Sequence, residues 1–254
     1  PPPPPPPSSA YLSSSIQLQG TTMTEDLMDA PRPPMFSTMP TKKDYDDNDI
    51  KKFIETHFDE RVKKCYGRIL NGSLKADFFR YCVVYIKGGL YIDIDISCEK
   101  PLTSMFNFDD IHLITTTDNC RNNKNDRIYQ AFLGGEANSA VFMNAINHIC
   151  TCIETQKYKT NMFELSGPTI FSKLLKQYMN EGITNENEKC KFLKELTFVN
   201  PLNKNKFVIP QHNIPKEKLE FNNVIFATAQ HKIDRKSNPH YMKQKSQFKK
   251  GYYT

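Results

Sequence analysis

"GGLYIDIDIS", Gly88 to Ser97, sets two aspartates inside an apolar, β-branched run. Alternation of this kind marks a strand with two different faces. Leu90, Ile92, Ile94 and Ile96 are expected to point one way, and Tyr91, Asp93 and Asp95 the other. Carboxylates in such a run are costly unless something pairs with them. Just upstream, "LKADFFRYCVVYIK", residues 74–87, reads as a helix that Gly88 and Gly89 stop. This helix carries Asp77 and Arg80 three residues apart, hence on one face. The buried character of the strand, the glycine turn and the Asp77/Arg80 face lift the pair above a chance Asp-x-Asp.

Two carboxylates on one side of a strand end repel, so each raises the other's pKa unless a cation lies nearby. Hard divalent ions such as Mg²⁺ and Mn²⁺ prefer oxygen ligands of this kind. They bind with few protein carboxylates and leave positions for phosphate oxygens. A diphosphate leaving group is a natural partner, because the ion neutralises charge as a bond to phosphate breaks. In open α/β sheets such ligands sit at the carboxyl ends of strands.

Around this centre the chain alternates helical and β-like patterns. Ile50, Phe53, Ile54, Phe58, Val62 and Tyr66 recur at spacings of three and four. They predict a helix from Asp47 up to the break "NGS" at 71–73, where Ser73 is placed to cap the next helix. "DIHLITTT", residues 110–117, reads as a strand; Val141 to Ile153 reads as a helix; "PTIFSKLLKQYM" reads as another, with Pro168 in its first turn. "LTFVNP", "KFVIP" and "NVIFAT" are short late strands. The pattern is α/β.

The first 40 residues differ in kind. "PPPPPPPSSAYLSSS" and "APRPPMFSTMP" favour extended, solvated chain. Residues 1–40 are therefore expected to be disordered and residues 41–254 to form the folded domain. Roughly 210 residues remain for folding, ample for one core. The first residue is Pro rather than Met, consistent with a fragment or a processed product. No apolar run reaches the ~18–20 residues of a membrane span. The formal charge is +6, with lysines gathered in "HKIDRKSNPHYMKQKSQFKK" near the C-terminus. That run reads as a solvated face or as an attraction for phosphates. Seven irregularly spaced cysteines read as reduced thiols, with Cys82 and Cys98 in segments of buried character and Cys150 and Cys152 too close for a metal knuckle.

The stretch "KADFFRYCVVYIKGGLYIDIDISCEKPL", Lys75 to Leu102, resembles the sugar-binding region of the DXD-containing glycosyltransferases. The nearest group is family 32, which includes initiating α-1,6-mannosyltransferases and capsular and viral relatives. Asp77, Arg80, Tyr81, Tyr85, Gly88, Gly89, Tyr91, Asp93, Asp95, Pro101 and Leu102 all fit the family pattern. "IYQAFLGGEANSAVFMNAINHI" and "ELSGPTIFSKLL" resemble it more weakly. The resemblance implies a GT-A-type nucleotide-diphospho-sugar transferase fold, a single Rossmann-like domain. Residues 1–42 hold no counterpart of the family's opening strand, so this strand is expected to be missing here.

The resemblance also implies roles. Asp95 is the expected direct metal ligand for Mn²⁺ or Mg²⁺, with Asp93 and His240 completing the metal set. Asp77, Arg80 and Asp93 form the expected catalytic group. Tyr91, Asp93, Asp77, Arg80 and His231 are expected to bind the donor, a GDP- or UDP-hexose. Lys243 and Lys245 could meet the diphosphate. Ser166, Gly167 and Pro168 are placed to line the acceptor side, with helix capping as the competing role of Ser166. The implied activity is a metal-dependent retaining transfer of a hexose, with mannose a candidate, to a glycan or other hydroxyl acceptor in glycan biosynthesis. The alternative is a catalytically degenerate module that binds a glycan or a protein. A nucleic-acid partner is not expected, since no aromatic-basic recognition module is visible. Localisation stays open between cytoplasmic, viral and Golgi-associated, and the oligomeric state is not read.

Overall fold

The structure is a computed structural model that describes residues 42–118, 128–156, 162–190, 196–213 and 218–229. The expected first helix is two helices, α1 (Asp47–His57) and α2 (Glu60–Arg68). Asp46 caps α1 by accepting the Asp49 N–H at 2.8 Å, and Asp59 caps α2 by accepting the Val62 N–H at 3.0 Å. Phe58 between them is extended, so the apolar periodicity runs through a capped break that periodicity alone does not register. In α3 (Gly72–Lys87) the cap is Asn71 rather than Ser73: its side chain accepts the N–H groups of Ser73 and Leu74. The helices α4 (Ala140–Glu154) and α6 (Pro168–Met179), the latter with Pro at its start, lie where the sequence predicts them; α5 (Met162–Leu165) is a single turn.

The strands are β1 (Gly89–Ile92), β2 (Ile96–Cys98), β3 (Leu113–Asp118), β4 (Ile128–Gly135), β5 (Thr197–Val199), β6 (Lys206–Val208), β7 (Gln211–Asn213), β8 (Lys218–Phe221) and β9 (Val224–Ala229). Among the described residues they form one mixed sheet in the order β1-β4-β3-β7-β8-β9-β2, with β6 on β3 and β5 on β6. β3 runs parallel to β6 and β7; the other described pairings are antiparallel. β8 and β9 meet at Asn222 and Asn223, both at positive φ (50° and 62°), which gives the hairpin the twist of its strands. β1 and β2 lie at opposite ends of the path yet are joined by Asp93–Asp95 alone.

Alternation along the strands builds two cores. Leu113, Leu133 and Phe207 face the helices α1–α4 and α6. Their neighbours Ile114, Phe132 and Val208 face a second cluster with Phe106, Phe108, Ile111, Leu219 and Phe226, supplied partly by the segment after Leu102. The architecture is mixed α/β. Cys82 is buried as expected, but Cys98 is exposed, because β2 ends the strand path. None of the six described cysteines is in a disulfide. Among the described residues no helix is long and apolar enough to cross a membrane.

Gly88 carries the passage from α3 into β1. Its φ is +64°, its N–H donates to Val84 O at 2.8 Å, and a Cβ there would lie 2.9 Å from the Ala137 backbone nitrogen. Gly88→Ala is therefore expected to cost about 1–3 kcal/mol in urea unfolding. A loss under about 0.5 kcal/mol would show that the turn accepts a side chain.

Candidate active site

The two aspartates do not continue β1. The chain leaves the strand at Ile92, although the Asp93 N–H still reaches Ala131 O across β4 at 2.8 Å. The Asp93 carbonyl then accepts the Ile96 N–H at 3.0 Å and closes a tight turn. Ile94 at its tip is 97% exposed. The expectation that Ile94 joins the isoleucine face is thus corrected. Alternation holds for Leu90, Ile92 and Ile96, which pack on the second cluster, and for Tyr91, which packs on the first. It stops between them because β1 pairs with β4 and β2 with β9. The backbone must change ladders within three residues, which a turn does and a straight strand does not.

Beneath the turn lies Arg80, only 6% exposed. Its Nη2 is 3.2 Å from Asp77 Oδ1 and 3.4 Å from Asp93 Oδ1, and its Cζ lies 5.1 Å from the Tyr91 ring centroid. Removing a guanidinium from water costs several kcal/mol unless such partners answer it. Burial opposes its charge, but the Asp77 and Asp93 carboxylates outweigh burial and raise its pKa. The structure therefore brings Asp77, Arg80, Tyr91 and Asp93 together. Asp95 sits half-buried at the exit of the same turn.

Asp77 is shaped by opposing effects. Burial raises its carboxyl to about 6, while Arg80 and a 2.9 Å hydrogen bond from the Ser166 hydroxyl pull it back. Burial also pushes the Tyr91 phenol well above its ordinary range, with Arg80 opposing and Asp93 assisting, so it stays protonated. Ser166 does not cap α6: the cap position is Gly167, with no side-chain bond, and the hydroxyl turns to Asp77 instead. The sequence reading passed over Gln130, whose amide donates to the Tyr81 hydroxyl and to Ser166 O. A lone amide in the apolar run "IYQAFLGG" is the signal that could have found it.

His231, His240, Lys243 and Lys245 lie outside the described residues. Ala229, the last residue of β9, pairs with Ile96 at the end of the aspartate turn. Two other histidines are buried. His212 on β7 stacks on Tyr129 with ring centroids 4.0 Å apart. His112, at the start of β3 and so at the opposite end of the sheet, lies 2.7 Å from Glu136 and 2.6 Å from the Tyr178 hydroxyl. Among the described residues no group of three or more His, Cys, Asp or Glu is placed to hold a metal ion. The donor set at the turn is two carboxylates, all oxygen. That suits a hard cation completed by phosphate and water oxygens rather than a closed protein cage.

Arg80→Ala leaves two carboxylates facing each other over a buried gap. Asp77 holds its proton more tightly folded (about 6) than unfolded (about 3.9). Its contribution to stability is full below the unfolded value and is lost as pH rises through the folded one. Without Arg80 the folded value moves further up, so the loss extends to higher pH. The variant is expected to be about 3–5 kcal/mol less stable at pH 8 and clearly less impaired at pH 5. A deficit in urea unfolding that stays flat between pH 5 and pH 8 would refute the coupling.

Comparison with known proteins adds a similarity in sequence over the same part of the chain. Residues 21–117 match the family model of the glycosyltransferase sugar-binding region containing the DXD motif. The chain is 37% identical over 62 residues to an uncharacterized glycosyltransferase, L373, of Acanthamoeba polyphaga mimivirus; the match covers 24% of this chain and 25% of that protein. It is 46% identical over 41 residues to the initiation-specific alpha-1,6-mannosyltransferase of Candida albicans (strain SC5314 / ATCC MYA-2876), covering 16% of this chain and 11% of that one. The matched segments thus span a quarter or less of each relative. Through this region, which includes Arg80 and both turn aspartates, the chain is similar to the DXD-motif glycosyltransferases.

Proposed function

We propose that residues 41–254 form a GT-A-type domain that transfers a hexose, with retention of configuration, from a GDP- or UDP-hexose to a glycan or other hydroxyl acceptor. The observation that carries this reading is Arg80, held between Asp77 of the helix and Asp93 of the turn. It makes a charged, half-buried corner in which one carboxylate faces a sugar while a cation stays beside it. Asp95 and Asp93 would hold Mn²⁺ or Mg²⁺, whose charge would offset that of the departing diphosphate. Asp93 would also meet the donor ribose and sugar. Asp77 accepts from the sugar hydroxyls, and Arg80 holds the phosphate side; its buried Nε–H has no hydrogen-bond partner among the described residues. Tyr91, kept neutral, packs against the nucleotide.

In the proposed reaction the C1–O bond to the phosphate breaks and a C1–O bond to the acceptor forms on the same face. The acceptor's proton passes to the departing phosphate oxygen. No protein nucleophile is needed; positioning and fixed charge supply the catalysis. The mannosyl activity printed for the Candida relative makes GDP-mannose the first donor to try.

Calorimetry with Mn²⁺ tests the reading. A GDP- or UDP-hexose is expected to bind, and Asp95→Ala to weaken it at least about 10-fold, the loss of one charge-assisted contact. If no donor binds with Mn²⁺, a binding module takes the place of the enzyme. Undiminished binding by Asp95→Ala would remove that residue from the metal site. Protonation of Asp77 near 6 removes an anionic acceptor. Donor affinity is thus expected to fall as pH drops through 6, and this limb to vanish in Asp77→Asn.

A further inference from the structure

Serine just before a helix ordinarily spends its hydroxyl on the helix's first N–H groups. Ser166, in the short turn between α5 and α6, does not. Its Oγ–H crosses to Asp77 Oδ2 at 2.9 Å, while its carbonyl accepts the Tyr81 O–H at 2.8 Å and a Gln130 Nε2–H at 3.2 Å. The Gln130 amide also donates to the Tyr81 hydroxyl oxygen. Ser166, Tyr81 and Gln130 are all buried. Elements far apart in sequence, α3, β4 and the α5–α6 turn, thus converge to hold one serine still. Buried polar groups satisfied in this way fix a single arrangement.

What that arrangement controls is the reach of Arg80. Carboxylates prefer to take a guanidinium through both oxygens, fork to fork. Asp77 does not: the Ser166 hydroxyl holds Oδ2 and turns the carboxylate so that it meets Arg80 edge-on. Only Oδ1 meets Arg80, through Nη2, and the same Nη2 remains within 3.4 Å of Asp93. The Nε–H is left with no acceptor among the described residues.

We propose that Ser166 is a positioning residue for the donor site: by occupying Asp77 Oδ2 it keeps Arg80 shared with Asp93 and leaves the Arg80 Nε–H for the phosphate side of a nucleotide-sugar. This rests on the donor-site reading above. Tyr81 and Gln130 act one step further back, by fixing the Ser166 carbonyl.

Two measurements on the full chain separate this proposal from that reading. Without donor, the Arg80 Nε–H resonance in ¹⁵N-edited NMR is expected at the upfield position of a buried group that donates no hydrogen bond. In Ser166→Ala it is expected to shift downfield, as Asp77 closes on it with a hydrogen bond, and in Ser166→Thr to return to its original position. With Mn²⁺ and donor, Ser166→Ala is expected to bind about 10-fold more weakly, the scale of one hydrogen bond to a charged group, and Ser166→Thr to recover most of that loss. An Arg80 resonance unmoved by Ser166→Ala overturns the proposal whatever the donor does. If the unaltered protein binds no donor, the donor-site reading fails, and the resonance still decides the role of Ser166. Should Ser166→Ala not fold, Tyr81→Phe is expected to shift the same resonance in the same direction, and its failure to do so overturns the proposal.

Discussion

A guanidinium taken out of water has to be answered by negative charge, and Arg80 is answered from two directions. Asp77 comes from its own helix, one turn earlier. Asp93 comes from the turn after the next strand. Neither alone would suffice, since Asp77 is itself buried enough to hold its proton up to about pH 6. The three groups, with the Tyr91 ring alongside, make sense only as a set. Helix, glycine passage and first strand are thereby locked into one relative position.

That lock sits where the sheet imposes its own constraint. β1 begins the strand path and β2 ends it, yet three residues join them. The sheet must bring its two ends close enough for Asp93–Asp95 to bridge. A backbone changing ladders so abruptly has spare polar groups and exposed side chains, hence the Asp93–Ile96 bond and the exposed Ile94. The two acids are therefore half-buried on a turn that topology requires, with the buried Arg80 beside Asp93. For a chemistry in which a diphosphate departs, fixed charges of this kind cost nothing to reorganise.

Much of this was legible beforehand. The helix ending at Gly88, the first residues of β1, α4, α6 and β3 follow from periodicity and punctuation. So does the face shared by Asp77 and Arg80, because three residues on a helix return the side chain to the same side. The break at Phe58–Asp59 was hidden, since a cap competes with a periodicity that continues across it. β4 was hidden too: "IYQAFLGG" has no clean alternation, and its small residues pack by position rather than by pattern. β7 and β8 are too short to show a period.

The sequence by itself determined which charged residues would lie near the end of the first strand, because local geometry fixes the spacing of a helix face, a glycine turn and a strand. It also carried the family resemblance from Lys75 to Leu102. Only the tertiary structure decided that the two aspartates occupy a turn rather than a strand, because that depends on β1 and β2 pairing with different partners. Only the tertiary structure decided that Ser166 meets Asp77, 89 residues away. A hydroxyl chooses among acceptors by proximity, and proximity across a fold is not written in the spacing of residues along the chain.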